Sequence, residues 1–210
     1  AQQFAASQAE RWRKGLAEWD QAPERIARLR AAAEFAVYTP GSRAGLPVNV
    51  LGSFEPPAPA VREDRDLLRE RVQGTATSLL SLAGVEADAA GREHALVANI
   101  LYTAWSGGKG LDFPGLIRAI QEPPFTRVGV MDLDSFFPAK ERFQLAMRFN
   151  AILAAPGFEA WLEGEPLDIG RLLFTPQGRP RASIFSISHL GDAERMFFVS
   201  LLLLQVVGWM

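Results

Sequence analysis

The chain has 210 residues, 48% hydrophobic and 22% charged, which is the composition of a globular protein. Its net charge of −2 gives no overall basic field for nucleic-acid binding, although this net charge does not exclude a local basic patch. The absence of Cys excludes disulfides and thiolate metal sites and fits a cytoplasmic setting. The two His, His94 and His189, lie far apart in sequence, which argues against a His-based metal cluster.

The chain begins with two predicted helices. Three apolar residues of FAASQAERWRKGLAEWD share one helix face, at i, i+4 and i+7: Trp12, Leu16 and Trp19. Pro23 suits the first turn of the second helix. We expect the inner face of that helix to contain Ile26, Leu29 and Ala33.

Extended structure follows the two helices. The sequence EFAVYTPGS predicts a strand from Phe35 to Thr39, ended by Pro40 and Gly41. LPVNVLGSF predicts a second extended segment. The Pro-rich run EPPAPAV, Glu55–Val61, is typical of a semi-rigid connector.

The middle of the chain predicts short amphipathic helices without a strong strand. The first carries a stripe that ends at Gly84 and consists of Leu68, Val72, Thr75, Leu79 and Leu82. Asp88 and Asp112 are candidate N-caps of the next two helices. A longer helix is predicted from Pro138 to Ala154. We expect this block, about Asp64–Gly164, to form a small helical lobe packed on a neighbour.

The last part of the chain returns to extended structure and ends in a helix. GRLLFTPQGRPRASIFSIS predicts two extended apolar runs around a turn, and Ile184–Ile187 is typical of a buried strand in a parallel sheet. Asp192 is expected at or near the N-cap of the last helix. The apolar run Met196–Val207 is too short to span a membrane, so it predicts a core helix.

These patterns together predict an α/β fold with a mainly helical insertion. The expected segments are an α/β core at residues 1–60, a helical insertion at 61–164 and a second core segment at 165–210. The strands near Phe35–Thr39 and Ile184–Ile187 are expected in one sheet.

The sequence SGGKG, Ser106–Gly110, resembles part of a phosphate-binding loop but has the wrong spacing. Such a loop follows G-x-x-x-x-G-K-[ST], because several backbone N–H groups converge on phosphate and a hydroxyl reaches Mg²⁺. Here Thr103 stands five positions before Gly108, and Gly110 follows Lys109. We interpret the segment as a helix C-terminus and loop.

Two acidic stretches allow catalytic interpretations beside simpler ones. In VGVMDLD, Asp132 and Asp134 resemble a Mg²⁺-holding strand end, but Asp134 or Ser135 as a helix cap and Asp132 as a turn residue are favoured. EAWLEGEPLD contains four carboxylates that allow glycosidic acid/base chemistry, although a solvated acidic loop is favoured. They are Glu159, Glu163, Glu165 and Asp168.

Two further loops are candidate ligand sites because each follows a predicted strand. YTPGSRAG, Tyr38–Gly45, offers a Gly-containing turn with a hydroxyl and an Arg that can approach phosphate. GRPRASIFSISHLGDAER carries polar residues on both sides of its strand: Arg179, Arg181, Ser188, His189, Asp192 and Arg195. The favoured interpretation is a loop followed by a capped helix with a surface Arg. The alternative interpretation is a loop that faces a ligand. A small hydrolase using ISHLGDAER is a weaker alternative, because sequence neighbours rarely provide triad geometry.

Long phrases of the chain resemble bacterial HerA-like ATPases of the FtsK–HerA superfamily of P-loop motors. They are YTPGSRAGLPVNVLGSF, GVMDLDSFFPAKERFQLAMRFN and the run from EGEPLDIGRLLF to QVVGWM. The resemblance extends over nearly the whole chain and is densest from Arg127 to Met210. It implies a RecA-like P-loop core.

The resemblance also implies ATP and Mg²⁺ as ligands of the parent protein, movement on DNA and a homo-oligomeric ring. The family's Walker A and Walker B motifs have no counterpart here, so no ATP-site, metal-site or catalytic residue is assigned. The chain starts at Ala1 and stops at Met210 within an apolar helix, so we expect an inactive internal fragment. The alternative is a non-catalytic helical protein-interaction module.

Overall fold

A computed structural model describes residues 2–50, 54–86 and 88–210, and within them it shows a mixed helix and strand protein. This composition is compatible with the predicted α/β class. The helices are α1 Gln2–Glu18, α2 Pro23–Ala32, α3 Pro59–Glu63, α4 Arg65–Leu82, α5 Arg92–Ser106, α6 Phe113–Gln121, α7 Leu133–Phe136, α8 Ala139–Leu153, α9 Ile169–Leu173 and α10 Asp192–Trp209, with a 3₁₀ helix at Phe158–Trp161. The strands are β1 Glu34–Tyr38, β2 Val48–Asn49, β3 Arg127–Val128, β4 Met131–Asp132, β5 Glu165–Pro166 and β6 Arg181–Phe185.

The strands of the described residues form three two-stranded sheets, which pair β1 with β6, β2 with β5, and β3 with β4. Glu34 N donates to Pro180 O and Ser186 N donates to Tyr38 O, both at 2.9 Å, so β1 and β6 run parallel. The prediction that these two strands share a sheet is confirmed. The second strand begins and ends earlier than the predicted Ile184–Ile187.

The chain divides into two compact units. One contains the residues up to Ala36 together with Gly170–Ile184, and the other contains Val37–Ile169 and Phe185–Met210. The division falls within strands β1 and β6. The predicted core segments 1–60 and 165–210 and the predicted insertion 61–164 have other boundaries than these two units. That domain organisation stays a prediction.

The first unit contains helices that bury almost nothing. Neither α1 nor α2 has a buried residue, and the expected inner face of α2 is exposed, with Ile26 at 56% and Leu29 at 60%. Arg179 Nη2 donates to the carbonyl oxygens of Arg30, Ala31 and Ala33, at the C-terminal end of α2. Capping by a cation, rather than apolar packing, therefore fixes this end of α2.

The predicted extended run GRLLF is wrong, because most of it forms α9, Ile169–Leu173. A short apolar run fits a buried strand and a buried helix turn equally well, and Leu and Arg are good helix formers. Within the first unit, Ser183 Oγ donates to Leu172 O at 2.5 Å, which satisfies a carbonyl at the helix end.

The core of the second unit is built by α4, α5, α6, α8 and α10. Helix α4 begins after Asp64, whose carboxylate accepts from Asp66 N and Leu67 N, and it buries most of the predicted stripe. Gly74 lies against α10, where an added Cβ would be 2.7 Å from the Leu204 side chain. The glycine thus allows α4 and α10 to pack closely.

Predicted caps in the middle block have mixed outcomes. Asp112 caps α6 by accepting from Gly115 N at 2.6 Å, which confirms the prediction. Asp88 accepts from Ala90 N and belongs to the turn before α5, whose N-cap is Gly91, so that prediction is wrong. The long helix is confirmed as α8.

A short antiparallel hairpin also lies in this block, where no strong strand was expected. Val128 pairs with Met131, and Gly129 in the turn has a φ of +60°. Each strand has two residues, which is too short to produce a detectable alternation of apolar and polar residues.

Helix α10 buries some of its apolar side chains and exposes others. Phe197 and Leu201 are buried, and the ring centroid of Phe197 lies 6.1 Å from that of Trp161. Trp209, at the end of the helix, is 52% exposed. The other large exposed side chains of α10 are Met196, Leu203 and Val207. No helix in the described residues is long and apolar enough to cross a membrane.

Candidate functional site

The candidate site lies in the second unit, where the loops after β1 and β6 meet. Ser186 N donates to Tyr38 O at the strand ends. Beyond this bond, Nε2 of His189 is 2.9 Å from Pro40 O. A carbonyl oxygen only accepts, so Nε2 carries the hydrogen. Both loops are thus held at the carboxyl edge of a parallel pair, where open α/β sheets bind ligands.

The loop after β1 is fixed by its own hydrogen bonds. Thr39 Oγ1 donates to Ser42 O at 3.0 Å and accepts from Gly45 N at 2.9 Å. Gly41 has a φ of +68°, and a Cβ there would lie 2.6 Å from the Trp161 indole. The Thr39 hydroxyl therefore maintains the turn, and glycine is required at position 41 for both space and conformation.

Arg43, the cation of this loop, forms a two-point ion pair with Glu163. Its Nε donates to Oε2 at 2.9 Å and its Nη2 donates to Oε1 at 2.5 Å. This hydrogen bonding raises the pKa of Arg43 and lowers the pKa of Glu163. Both side chains are largely exposed, so solvent screens the pair. The pair nevertheless ties the loop after β1 to the segment before β5.

The acidic run EAWLEGEPLD does not form a pair of catalytic carboxylates. Glu163 is held by Arg43, while Glu165 accepts from the Tyr38 hydroxyl at 2.8 Å. A glycosidic general acid needs a raised pKa, whereas the pKa of Glu163 is lowered. The favoured interpretation as a solvated loop holds only in part, because the run includes the end of the 3₁₀ helix and strand β5. Two of its carboxylates also have specific partners.

The N-terminus of α10 is stabilised by side chains from its own first turn. Glu194 Oε2 accepts from Gly191 N at 2.9 Å, and Gly191 is the N-cap. Asp192 is next to the cap, as predicted, and Glu194 rather than Asp192 accepts the backbone N–H of the cap. Asp192 Oδ1 accepts from Arg195 Nη1 at 3.3 Å, and Arg195 Nη2 donates to Leu190 O.

The hydrolase alternative gains no support from this arrangement. In the described part of the chain, the hydrogen bond found for the His189 ring goes to a backbone carbonyl, and no hydroxyl side chain hydrogen-bonds to it. Arg179 and Arg181 lie at the opposite end of β6, where Arg181 Nε donates to Glu34 Oε1 at 2.9 Å. The structure therefore separates the polar residues that flank this strand in sequence.

The remaining motifs have structural roles. At SGGKG, Lys109 N donates to Ala104 O and Gly108 has a φ of +69°, which confirms a helix end. In VGVMDLD, Asp134 accepts from Arg142 Nη1 at 2.7 Å, and the N-cap of α8 is Pro138, so the predicted cap at Asp134 or Ser135 is wrong. Among the residues that the structure describes, no group of three or more His, Asp or Glu could hold a metal ion.

No family model, curated protein or solved structure matches this chain. Sequence reasoning missed Arg71, which lines a cavity of the second unit. A signal for it existed, because Arg71 falls three positions after Leu68 and four before Thr75, both of which are buried in the stripe of α4.

Proposed function

We propose that this chain is a segment of a HerA-like P-loop ATPase whose parent protein couples ATP hydrolysis to movement on DNA. The observation that supports this proposal is the parallel β1–β6 pair, with the two following loops joined through His189 and Pro40. Ligands of open α/β sheets bind at such an edge, between loops that follow neighbouring strands. The long phrases that resemble the family include both of these loops.

The residues present do not by themselves fit ATP and Mg²⁺. Phosphate binding in this class requires converging backbone N–H groups, a Lys and a hydroxyl that reaches the metal, and the sequence lacks that motif. In the proposed parent, these groups come from sequence outside the 210 residues, and further copies complete a ring. This chain then supplies flanking core structure.

The test compares the 210-residue chain with the product of the complete reading frame that contains it. We expect Mg²⁺-dependent ATP binding and DNA-stimulated hydrolysis from the complete product, and negligible ATP binding from the 210-residue chain. A complete product without a phosphate-loop sequence, or without ATPase activity, contradicts the proposal. Micromolar, Mg²⁺-dependent ATP binding by the 210-residue chain contradicts the expectation for the segment.

A helical protein-interaction module is the second candidate function, and α1 favours it. Phe4 and Trp12 of α1 are each 69% exposed, and α1 buries no residue. Trp19 follows the helix and is 77% exposed. Exposed aromatic side chains on one helix are typical of an interface that awaits a partner. A reading frame that contains no ATPase motifs, together with a partner whose binding is lost on Trp12→Glu, would favour this candidate.

A further inference from the structure

A cavity of the second unit has a volume of about 630 Å³. Binding sites for small molecules commonly have about 300–1,000 Å³. Its apolar wall includes Pro57, Val61, Leu167 and Trp209, and its polar lining includes Asn49 and Gln205. The cavity therefore has the size and mixed lining of a small-molecule site.

Arg71 of α4 lines this cavity without a carboxylate partner in the described residues. Its Nη1 donates to Leu204 O of α10, which leaves most of its five N–H donors without a protein acceptor there. Burial lowers the pKa of its guanidinium. A guanidinium that is partly removed from water without a directly paired carboxylate is unfavourable, and an oxyanion is its natural partner.

The acidic groups of the cavity limit the charge of such a ligand. Glu55, Asp112 and Asp168 contribute to the lining. Asp112 is already engaged, because it caps α6 and lies 3.9 Å from Arg118. A doubly charged phosphate would be repelled by this lining, whereas a single carboxylate can neutralise Arg71 with less repulsion. The apolar wall then suits an apolar body attached to that carboxylate.

We propose that this cavity binds a small organic carboxylate, with the carboxylate on the Arg71 guanidinium and the apolar body against Trp209 and Leu167. Two N–H groups of a guanidinium match the two oxygens of a carboxylate, which gives the site its selectivity for planar monoanions. This site is independent of the proposed ATPase activity, because it uses neither ATP nor the loops after β1 and β6.

The test uses benzoate as the probe and benzamide as its neutral analogue, with the full 210-residue chain at constant ionic strength. Thermal unfolding and calorimetric titration are measured for the wild type, Arg71→Met, Arg71→Gln and Arg69→Met. Arg69 is an exposed residue of the same helix and serves as the matched control. A ligand that binds the folded state raises Tm, so benzoate should raise the Tm of the wild type and of Arg69→Met.

We expect at least a tenfold weaker affinity for benzamide than for benzoate in the wild type, and the same loss of benzoate affinity in both Arg71 variants. Arg71→Gln keeps a donor for Leu204 O and tests the charge if Arg71→Met fails to fold. Absence of any benzoate effect on the wild type, or equal benzoate affinity in Arg71→Gln, overturns the proposal. Equal affinity for benzoate and benzamide also overturns it, since the cavity would then select only an apolar body.

Discussion

Trp12 and Trp105 show how one residue type meets opposite surroundings in two regions of the chain. Trp12 lies in α1 and is 69% exposed, whereas Trp105 lies in α5 and is fully buried. The indole Nε1 of Trp105 also donates to Phe54 O at 2.9 Å. Both helices have apolar residues at helical spacing. The spacing determines which residues share a face, but only tertiary partners determine whether that face is covered.

The covered region owes its burial to helices that pack against one another. Helix α5 packs on α4 and α6, and α6 packs on α8. Phe113 of α6 contributes by contacting the rings of Phe54, Phe149 and Phe158. Helix α1 has no buried residue. The loss of stability on substitution should therefore differ most between the two regions when a large apolar side chain is removed.

Replacing the two tryptophans should give the largest difference. Trp105→Ala leaves a cavity and removes one of two donors to the Phe54 carbonyl, which keeps its bond from Leu111 N. We therefore expect the free energy of unfolding to fall by about 3–5 kcal/mol. Trp12→Ala should change it by no more than about 0.5 kcal/mol. Urea unfolding followed by circular dichroism measures both. Equal losses in the two variants would show that α1 is covered in solution.

The next largest loss of stability is expected on removing a buried polar side chain. Arg142 is buried and donates to Asp134 Oδ1 and to the carbonyl oxygens of Phe137 and Gln121. Arg142→Met should lower the free energy of unfolding by about 1–3 kcal/mol, because the buried Phe137 carbonyl loses this donor. Lys140→Met, at an exposed position of the same helix, is the control. A loss no larger than that of the control would contradict this role of Arg142.

Smaller losses of stability are expected on replacing the two aspartates that were predicted as helix caps, Asp112 and Asp88. Asp112→Ala removes the acceptor of Gly115 N and should cost about 1 kcal/mol. Asp88→Ala removes only a turn contact to Ala90 N and should cost about 0.5 kcal/mol or less. Chemical denaturation of both variants checks the order, and a reversed order would place the cap of α5 at Asp88 after all.

The smallest effect is expected from the exposed pair of Arg43 and Glu163. Its hydrogen bonds lower the pKa of Glu163, so the contribution of the pair to stability is present above the ordinary Glu pKa. That contribution is lost as pH falls through the lowered value. Carbon NMR titration should show the pKa of Glu163 rising towards its ordinary range in Arg43→Gln. An unchanged titration would mean that the pair does not persist in solution.

The sequence predicted elements best where short-range chemistry determines them. Asp112 and Gly84 begin or end helices through local backbone bonds and conformations, and these predictions are confirmed. Helix α9 and the β3–β4 hairpin were missed because their runs of two to five residues carry no distinct period. The buried side of α10 depends on Trp161, which no local pattern connects to that helix.

The candidate site was predictable only in part. Both loops stood out because each follows a predicted strand and carries polar residues. The bond of His189 to Pro40 and the pair of Arg43 with Glu163 join residues more than 100 positions apart, so no spacing rule predicts them. Arg71 lies beside the buried stripe of α4, which indicates an unusual position for a charged residue but not the cavity beside it.

The pairing of β1 with β6 also determines the order in which the chain can fold. Glu34 N bonds to Pro180 O, which lies 146 positions later in the chain. At roughly 5–20 residues per second of synthesis, the partner of Glu34 emerges from the ribosome roughly 7–30 s after Glu34 itself. Helices α4 to α8 make contacts between near neighbours in sequence and can form in that interval. During synthesis, β1 must therefore wait without its partner strand β6 until these 146 further residues have been made.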